Sequence, residues 1–257
     1  MYEKYPWVSI ITPALNAQET IETTIQSVLN QSYDYIEHII VDGGSTDRTI
    51  EIISKYKNKI SKVLTEERKG IYVSINTGLH SVSGDIIGIL NADDFYADKD
   101  VIRTVVEKIE AEKVDSCWGD LEYVDKDKID KVIRYWISSE ASPDKFRAGW
   151  MPPHPAFFVK RWVYEKYGFF NTDFKFAADY EILLRFLYKH KISSCYIPKV
   201  LVKMRAGGRG NRSIFWKNIE DYTICRMYGL SFLTFLKKKI IKAPQFVSLN
   251  RILGRSI

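Results

Sequence analysis

Two adjacent carboxylates, Asp93 and Asp94, follow the apolar run Ile86–Leu90 within Gly84-Asp85-Ile86-Ile87-Gly88-Ile89-Leu90-Asn91-Ala92-Asp93-Asp94. The β-branched residues of that run suit a strand buried on both faces. In open α/β sheets ligands bind beyond the carboxyl ends of the strands, which places this pair on the floor of a crevice. Neighbouring carboxylates repel one another in a partly dry site, and a cation or a shifted pKa relieves them. Oxygen ligands of this kind suit Mg²⁺ or Mn²⁺ shared with substrate phosphates. Read alone, the pair fits an acidic turn equally well. A further carboxylate, Asp42, ends the apolar run His38-Ile39-Ile40-Val41, and Asp179 opens the helical stretch Asp179–Leu187. Two strands that each deliver an acid to one sheet edge are harder to explain as independent turns.

The elements that must position these acids follow from hydrophobic spacing. Val8–Thr12 reads as a buried first strand stopped by Pro13, and Ile21, Ile25, Val28 and Leu29 share one helical face. After Asp42, the turn Gly43-Gly44-Ser45-Thr46-Asp47 leads into a helix through Ile50, Ile53 and Tyr56. A weak strand at Val63-Leu64 precedes helical spacing at Ile71, Ile75 and Leu79, and then the Ile86–Leu90 strand. This alternation predicts a mainly parallel sheet flanked by helices over the first hundred or so residues. Beyond a helix at Val101–Glu112, strands are expected at Ser116–Val124, Lys131–Ile137 and Ala156–Val159, with a helix at Arg161–Tyr167. Arg147–Pro155 reads as an aromatic and proline-rich loop, and Arg205–Arg212 as a mobile one with three glycines and three arginines. No Gly-x-Gly-x-x-Gly follows the first strand and no phosphate-loop Lys-Ser/Thr occurs, so nicotinamide and P-loop chemistry are poorly supported.

Composition sets the outer limits. A chain of 257 residues, 46% hydrophobic and 14% aromatic, can bury a sizeable core. It contains no apolar run long enough to span a bilayer, and its start lacks an apolar signal region, so export is not expected. Cys117, Cys195 and Cys225 show no zinc spacing and read as buried or incidental thiols of a reducing compartment. From Arg205 onward, 11 Lys and Arg stand against 2 Asp and Glu, whereas the preceding residues carry 27 against 30. The tail is therefore strongly basic. Phe232–Lys242 within it is amphipathic and cationic, which suits either an anionic lipid surface or packing on the domain with lysines in water. Nucleic acid is not expected, because no stacking aromatics interleave with the lysines.

Several stretches together resemble the inverting glycosyltransferases of family 2. They are Val8-Ser9-Ile10-Ile11-Thr12-Pro13, Ile39-Ile40-Val41-Asp42-Gly43-Gly44-Ser45-Thr46-Asp47, Lys69-Gly70-Ile71-Tyr72, Asn76-x-Gly78, the Gly84–Asp94 stretch, and Ala178-Asp179-Tyr180-Glu181. They span residues 8 to about 185 in family order. The resemblance implies a GT-A fold, a Rossmann-like sheet with a C-terminal helical extension. It divides the chain into a transferase domain at 1–204, with a nucleotide-sugar half to about 115 and an acceptor half at 116–204, and a basic loop with amphipathic helices at 205–257. It implies transfer from a nucleotide-sugar, a UDP-sugar first, to a glycan or polyprenyl-linked acceptor in bacterial polysaccharide or lipopolysaccharide synthesis. It also implies a Mn²⁺ or Mg²⁺ cofactor and peripheral attachment to the cytoplasmic face of the membrane.

By the same resemblance Asp179 is the catalytic base, and Thr12, Pro13, Asp42, Arg68, Lys69, Asn91 and Asp93 bind the nucleotide-sugar. Asp94, with Asp93, is the metal–pyrophosphate contact, although the first position of the DXD-type region is Asn91 here. His154, Arg205 and Arg209 are candidates for the acceptor or diphosphate side, as is Arg212 in the same glycine-rich loop. Relatives often carry an acid where Arg68 stands, Asp where Val73 stands and Tyr where Leu15 stands, so the choice of nucleotide stays open. The alternatives are a non-catalytic nucleotide-sugar-binding protein or a sugar-nucleotide pyrophosphorylase, although the glycine-rich signature of the latter is absent after Thr12.

Overall fold

The computed structural model describes residues 5–207 and 214–242. Its centre is a nine-stranded sheet in the order β3-β2-β1-β4-β8-β6-β9-β5, with β7 paired to β6. β1 (Val8–Ala14), β2 (Ile36–Asp42), β3 (Lys62–Thr65) and β4 (Ile86–Ile89) run parallel, joined by α1 (Ile21–Leu29), α2 (Thr49–Lys55) and α3 (Ile71–Leu79). The short β5 (Asp94–Tyr96) leads to α4 (Val101–Glu112). The second half is mixed: β6 (Ser116–Val124), β7 (Val132–Trp136), α5 (Pro143–Arg147), β8 (Phe157–Lys160), α6 (Arg161–Tyr167), α7 (Ala178–Leu183) and β9 (Ser194–Arg205). α8 (Ile214–Met227) and α9 (Phe232–Lys242) complete the described chain.

Alternation along the strands divides the core between the two faces of the sheet. Ile11, Ile39 and Val41 face α3 and α7, whereas Val8 and Ile10 face Val101, Val105 and Ile109 of α4. Every residue of β1 is buried, which accounts for its unbroken apolar run. Each such Val or Ile contributes about 1.5–3 kcal/mol of burial.

Several expectations need correction. β1 does not stop at Pro13 but passes through it in register with Val41. Pairing of β1 with β4 ends at Ile11, so the missing N–H of Pro13 falls where β2 alone flanks the strand. β9 is a strand that the sequence pattern does not announce, with Pro198 in the middle of it. Pro198 sits at an irregularity, where Tyr196 pairs with Trp118 but Val200 with Asp120, and the strand resumes beyond it. Arg205 is consequently the buried end of β9, not part of a loop, and a boundary after residue 204 would cut a strand. The helix from residue 179 is regular only to Leu183, after which Leu184–Lys189 widens into a π-helical turn with His190 N–H donating to the Arg185 carbonyl at 3.0 Å. Among the described residues no helix is long and apolar enough to cross a membrane.

A buried acid fastens the parallel strands beneath the site. The Glu37 carboxylate accepts from Ser9 Oγ at 2.6 Å, Ser83 N at 2.8 Å, Ser83 Oγ at 2.9 Å and Lys62 Nζ at 3.0 Å. Burial alone would raise its pKa, but these donors outweigh burial and hold it near 2, against an ordinary 4.5. Between those values the unfolded chain binds a proton that the native carboxylate refuses, so acid favours unfolding. Stability should fall by on the order of 3 kcal/mol from this group as pH drops from 4.5 to about 2. Urea unfolding across that range, with a flatter profile for Glu37→Gln, checks the assignment.

Candidate active site

The carboxyl ends of β1, β2 and β4 meet at one edge, where Ala14 is in register with Asp42 and Leu90 N–H donates to the Ile11 carbonyl. Asp42 is buried, and its carboxylate organises the turn after β2. Its Oδ2 accepts from Gly44 N at 3.0 Å and Ser45 N at 2.9 Å, and its Oδ1 from Ser45 Oγ at 2.5 Å. Ser45 Oγ accepts from Asn16 N and Asn16 Oδ1 from Thr46 N, so the loops after β1 and β2 are laced together. Asp42 thus shapes the wall, with one lone pair of Oδ1 left for a ligand. Thr12 and Pro13 are buried within β1, and the Thr12 hydroxyl pairs with His38 Nε2 at 3.0 Å. Burial lowers the His38 pKa to about 3, which keeps that ring neutral. The side chains of Thr12 and Pro13 are therefore buried supports of the strand end.

Glu66, just beyond β3, escaped the sequence reading. Its N–H donates to the Asp42 carbonyl, and its carboxylate grips Arg68 through Nε at 2.9 Å and Nη2 at 2.8 Å, with Thr77 Oγ1 as a further donor. Arg68, followed by Thr77, holds this carboxyl near 2. The signal lay in its place at a strand's carboxyl end, like that of Asp42. Arg68 is fixed by this fork with its side chain largely exposed, and Lys69 is exposed beside it. Both can face an anionic ligand at the crevice mouth. Gly70 then enters α3 at φ 136°, a conformation that L side chains rarely adopt.

Asn91 and Asp93 lie in the turn between β4 and β5, and Asp94 opens β5. Asn91 Nδ2 donates to Asp94 Oδ2 at 3.1 Å, and Asp94 N–H donates to the Asn91 carbonyl at 3.0 Å. Asp94 is fully buried, and its Oδ1 has no hydrogen-bond partner. Burial first, then the charge of Asp93, push its pKa well above the carboxylate range. Asp93 is half-buried, and its carbonyl accepts from Arg205 Nη1 at 2.7 Å. The Arg205 guanidinium lies 5.0 Å from the Phe95 ring centre, beside both acids, with burial lowering its pKa against their opposing pull. Arg209 and Arg212 lie outside the described residues.

Among the described residues no three His, Cys, Asp or Glu side chains gather to hold a metal by themselves. The orphaned, buried oxygen of Asp94 beside half-open Asp93 nevertheless fits a hard cation whose other ligands come from a substrate diphosphate.

Asp179 stands in the first turn of α7, half-buried. Tyr72 of α3 donates its hydroxyl to Asp179 Oδ1 at 3.3 Å and stacks on Phe170 with ring centres 5.5 Å apart. Asn76 exchanges two hydrogen bonds with Phe170, Nδ2 to the carbonyl at 2.9 Å and Phe170 N to Oδ1 at 3.0 Å. His154 is buried edge-on to Phe170; burial lowers its pKa while the Asp179 charge opposes that shift. His154, Tyr72 and Asp179 therefore form one group at the crevice edge. Tyr72→Phe should lower turnover about three- to tenfold with little change in KM, as read by steady-state kinetics, because it removes one donor from a charged acceptor. Glu220 of α8 also escaped the sequence reading. Its carboxylate accepts from the backbone N–H groups of Lys175 at 2.9 Å, Phe176 at 2.8 Å and Ala177 at 2.9 Å, anchoring the segment that enters α7.

Residues 9–178 match the model of glycosyl transferase family 2. The chain belongs to that family. An uncharacterized glycosyltransferase of Mycobacterium tuberculosis strain H37Rv is 32% identical to this enzyme over 183 residues, which cover 70% of this chain and 68% of the relative. The PGL/p-HBAD biosynthesis glycosyltransferase of Mycobacterium bovis is 26% identical over 239 residues, 91% of each chain. Bacillus subtilis TuaG, assigned provisionally to teichuronic acid biosynthesis, is 42% identical over 105 residues, 40% of this chain and 41% of TuaG. Among solved structures, Staphylococcus aureus TarS 1–349 in complex with UDP-GlcNAc superposes with a TM-score of 0.72 at 18% identity, covering 97% of this chain and 73% of that one. The Pyrobaculum calidifontis mannosyltransferase PcManGT, in complex with GDP-Man and Mn²⁺, gives 0.64 at 18% identity, covering 95% and 70%. These likenesses show a GT-A fold, and the family makes this glycosyltransferase an enzyme. The binding-protein and pyrophosphorylase alternatives fall with that finding.

Proposed function

We propose that this glycosyltransferase moves a sugar, with inversion, from a UDP-sugar to a hydroxyl of a glycan or lipid-linked saccharide in bacterial cell-surface polysaccharide synthesis. The observation that carries the reading is the convergence of Tyr72 and His154 on Asp179 at the edge that also bears Asp42 and Asp93-Asp94. Asp179 takes the proton of the acceptor hydroxyl while that oxygen bonds to the anomeric carbon. The bond from that carbon to the diphosphate breaks on the opposite face, and its electron pair leaves on the diphosphate oxygen. Asp93 and Asp94 would hold the divalent cation, Mn²⁺ or Mg²⁺, which when bound supplies charge neutralisation to the leaving group. Arg205 fixes the Asp93 carbonyl, and Arg68 and Lys69 line the nucleotide side. The PGL/p-HBAD and teichuronic acid relatives support a cell-surface glycan as acceptor, and the complex of TarS with UDP-GlcNAc supports a UDP-sugar donor. The location is the cytoplasmic face of the membrane, reached through the basic C-terminal helices.

Nucleotide release from UDP-, dTDP- and GDP-sugars, followed by proton NMR of the product's anomeric coupling, tests this reading. Release from a UDP-sugar with an inverted anomeric configuration is expected. Retention of configuration would refute the single displacement.

A further inference from the structure

α8 and α9 bury Ile224 and Cys225 against the core but leave other large apolar side chains outward. Phe215, Ile219, Tyr222 and Arg226 recur at helical spacing on one face of α8, and all are exposed, with Trp216 alongside. Phe215 is 68% exposed, Trp216 58%, and, on α9, Leu233 63% and Ile240 66%. Meanwhile polar groups point inward. Asp221 of α8 is fully buried and takes Lys238 Nζ at 2.6 Å and Lys239 Nζ at 2.7 Å. Glu220 is spent on the three N–H groups before α7, and Thr234 Oγ1 donates to the Arg147 carbonyl at 2.8 Å. At Gly149 a Cβ would stand 2.5 Å from Lys238 N, so α9 lies directly against the body. The sequence alternatives of lipid contact or packing on the domain are therefore compatible, because α9 packs through Thr234 and Lys238 and leaves its apolar side outward.

A folded domain rarely exposes so many large apolar side chains in one place without something to cover them. Tyr222 of α8 touches Phe232 and Phe235 of α9, each pair with ring centres 5.8 Å apart, so the two helices present one continuous surface. Its charge identifies the occupant. Both acids of the hairpin are turned inward, whereas Arg226 and Lys237 are exposed. Among the described residues of the hairpin, the exposed charges beside these apolar side chains are cationic, which complements an anionic bilayer surface.

We propose that the outer face of the α8–α9 hairpin seats in an anionic lipid surface, with Phe215, Trp216, Leu233 and Ile240 entering the acyl boundary and Arg226 and Lys237 on the headgroups. This builds on the membrane location in the reading above and names the surface that achieves it. The same hairpin holds α7 from within: Tyr180 pairs with Cys225 Sγ at 3.5 Å, Lys238 Nζ lies 3.1 Å from the Tyr180 ring centre, and Tyr228 donates to Glu181 at 2.5 Å. The hairpin proposed to seat on lipid therefore also packs against the helix whose first turn carries Asp179.

The test is flotation of the full chain with phosphatidylcholine vesicles, with and without phosphatidylglycerol. The variants are Trp216→Ser/Leu233→Ser/Ile240→Ser and Arg226→Glu/Lys237→Glu. All these positions are exposed, so the fold should persist, as thermal melting and nucleotide release from a water-soluble sugar nucleotide verify. Wild type should float with phosphatidylglycerol vesicles, more weakly at high salt, and each variant should lose about tenfold or more in partitioning. Absence of flotation at low salt, or flotation that both variants retain, overturns the proposal. So does a solution dimer, seen by light scattering, that the serine variant dissociates without any vesicle binding, since a second copy would then be the occupant. Flotation without nucleotide release from a UDP-sugar leaves the docking surface standing and removes the proposed UDP-sugar donor; release without flotation does the reverse.

Discussion

Replacing Asp179 by Asn should lower kcat by about 10²–10⁴ while donor affinity stays within a few-fold. The amide has nearly the same shape and can still accept from the Tyr72 hydroxyl that reaches Oδ1 at 3.3 Å, so the local packing survives. It cannot take a proton from an acceptor hydroxyl. Steady-state turnover, paired with calorimetric titration of the donor, separates the two quantities. Equal losses in turnover and donor affinity would instead mark Asp179 as a binding group. A slow background hydrolysis of the donor by water should fall with transfer, because water must lose a proton to the same carboxylate.

Asp94→Asn should cost about a hundredfold or more in activity while leaving the metal-free protein as stable as wild type, or more so. Asp94 is fully buried beside Asp93, and burial together with that neighbouring charge raises its pKa. In the absence of a cation the folded protein thus favours a neutral side chain here, which Asn supplies while keeping a carbonyl oxygen for Asn91 Nδ2. With a cation and a diphosphate present, the carboxylate's charge is what matters, and the amide lacks it. Thermal melts with EDTA, set against turnover with Mn²⁺, read the two sides separately. A large loss of stability in EDTA would mean that Asp94 acts chiefly as a structural acid of the β4–β5 turn.

The features legible in the sequence were those carried by short-range pattern. Apolar runs ending in Asp42 and Asp93-Asp94 read as strands because β1, β2 and β4 are buried on both faces. Asp179 read as a helix opener because acids suit a helix N-terminus. The features missed depend on partners distant in sequence. Glu220 lies 43 residues from Ala177, whose N–H it accepts, and nothing in its own neighbourhood marks it as an anchor for the helix that carries the base. β9 stayed hidden because Pro198 argues against a strand, and with it went the burial of Arg205 beside Asp93. Asp42 and Thr12 were located at the edge, but local hydrogen bonds to Ser45 and His38 occupy them more than the sequence implied. α8 is a different case. It carries apolar side chains on both sides, Ile224 and Cys225 inward and Phe215, Ile219 and Tyr222 outward, and only the fold tells which side is inside.

The most direct measurement is calorimetric titration of the wild-type protein with UDP-, dTDP- and GDP-sugars, each in Mn²⁺ and in EDTA. Saturable binding of a UDP-sugar in Mn²⁺ is expected, weakened about tenfold or more by EDTA and to a similar degree by Asp93→Ala. Failure to bind any of these nucleotide-sugars under either condition would contradict the assignment of the Asp42, Asp93-Asp94 and Asp179 crevice as a sugar-transfer site.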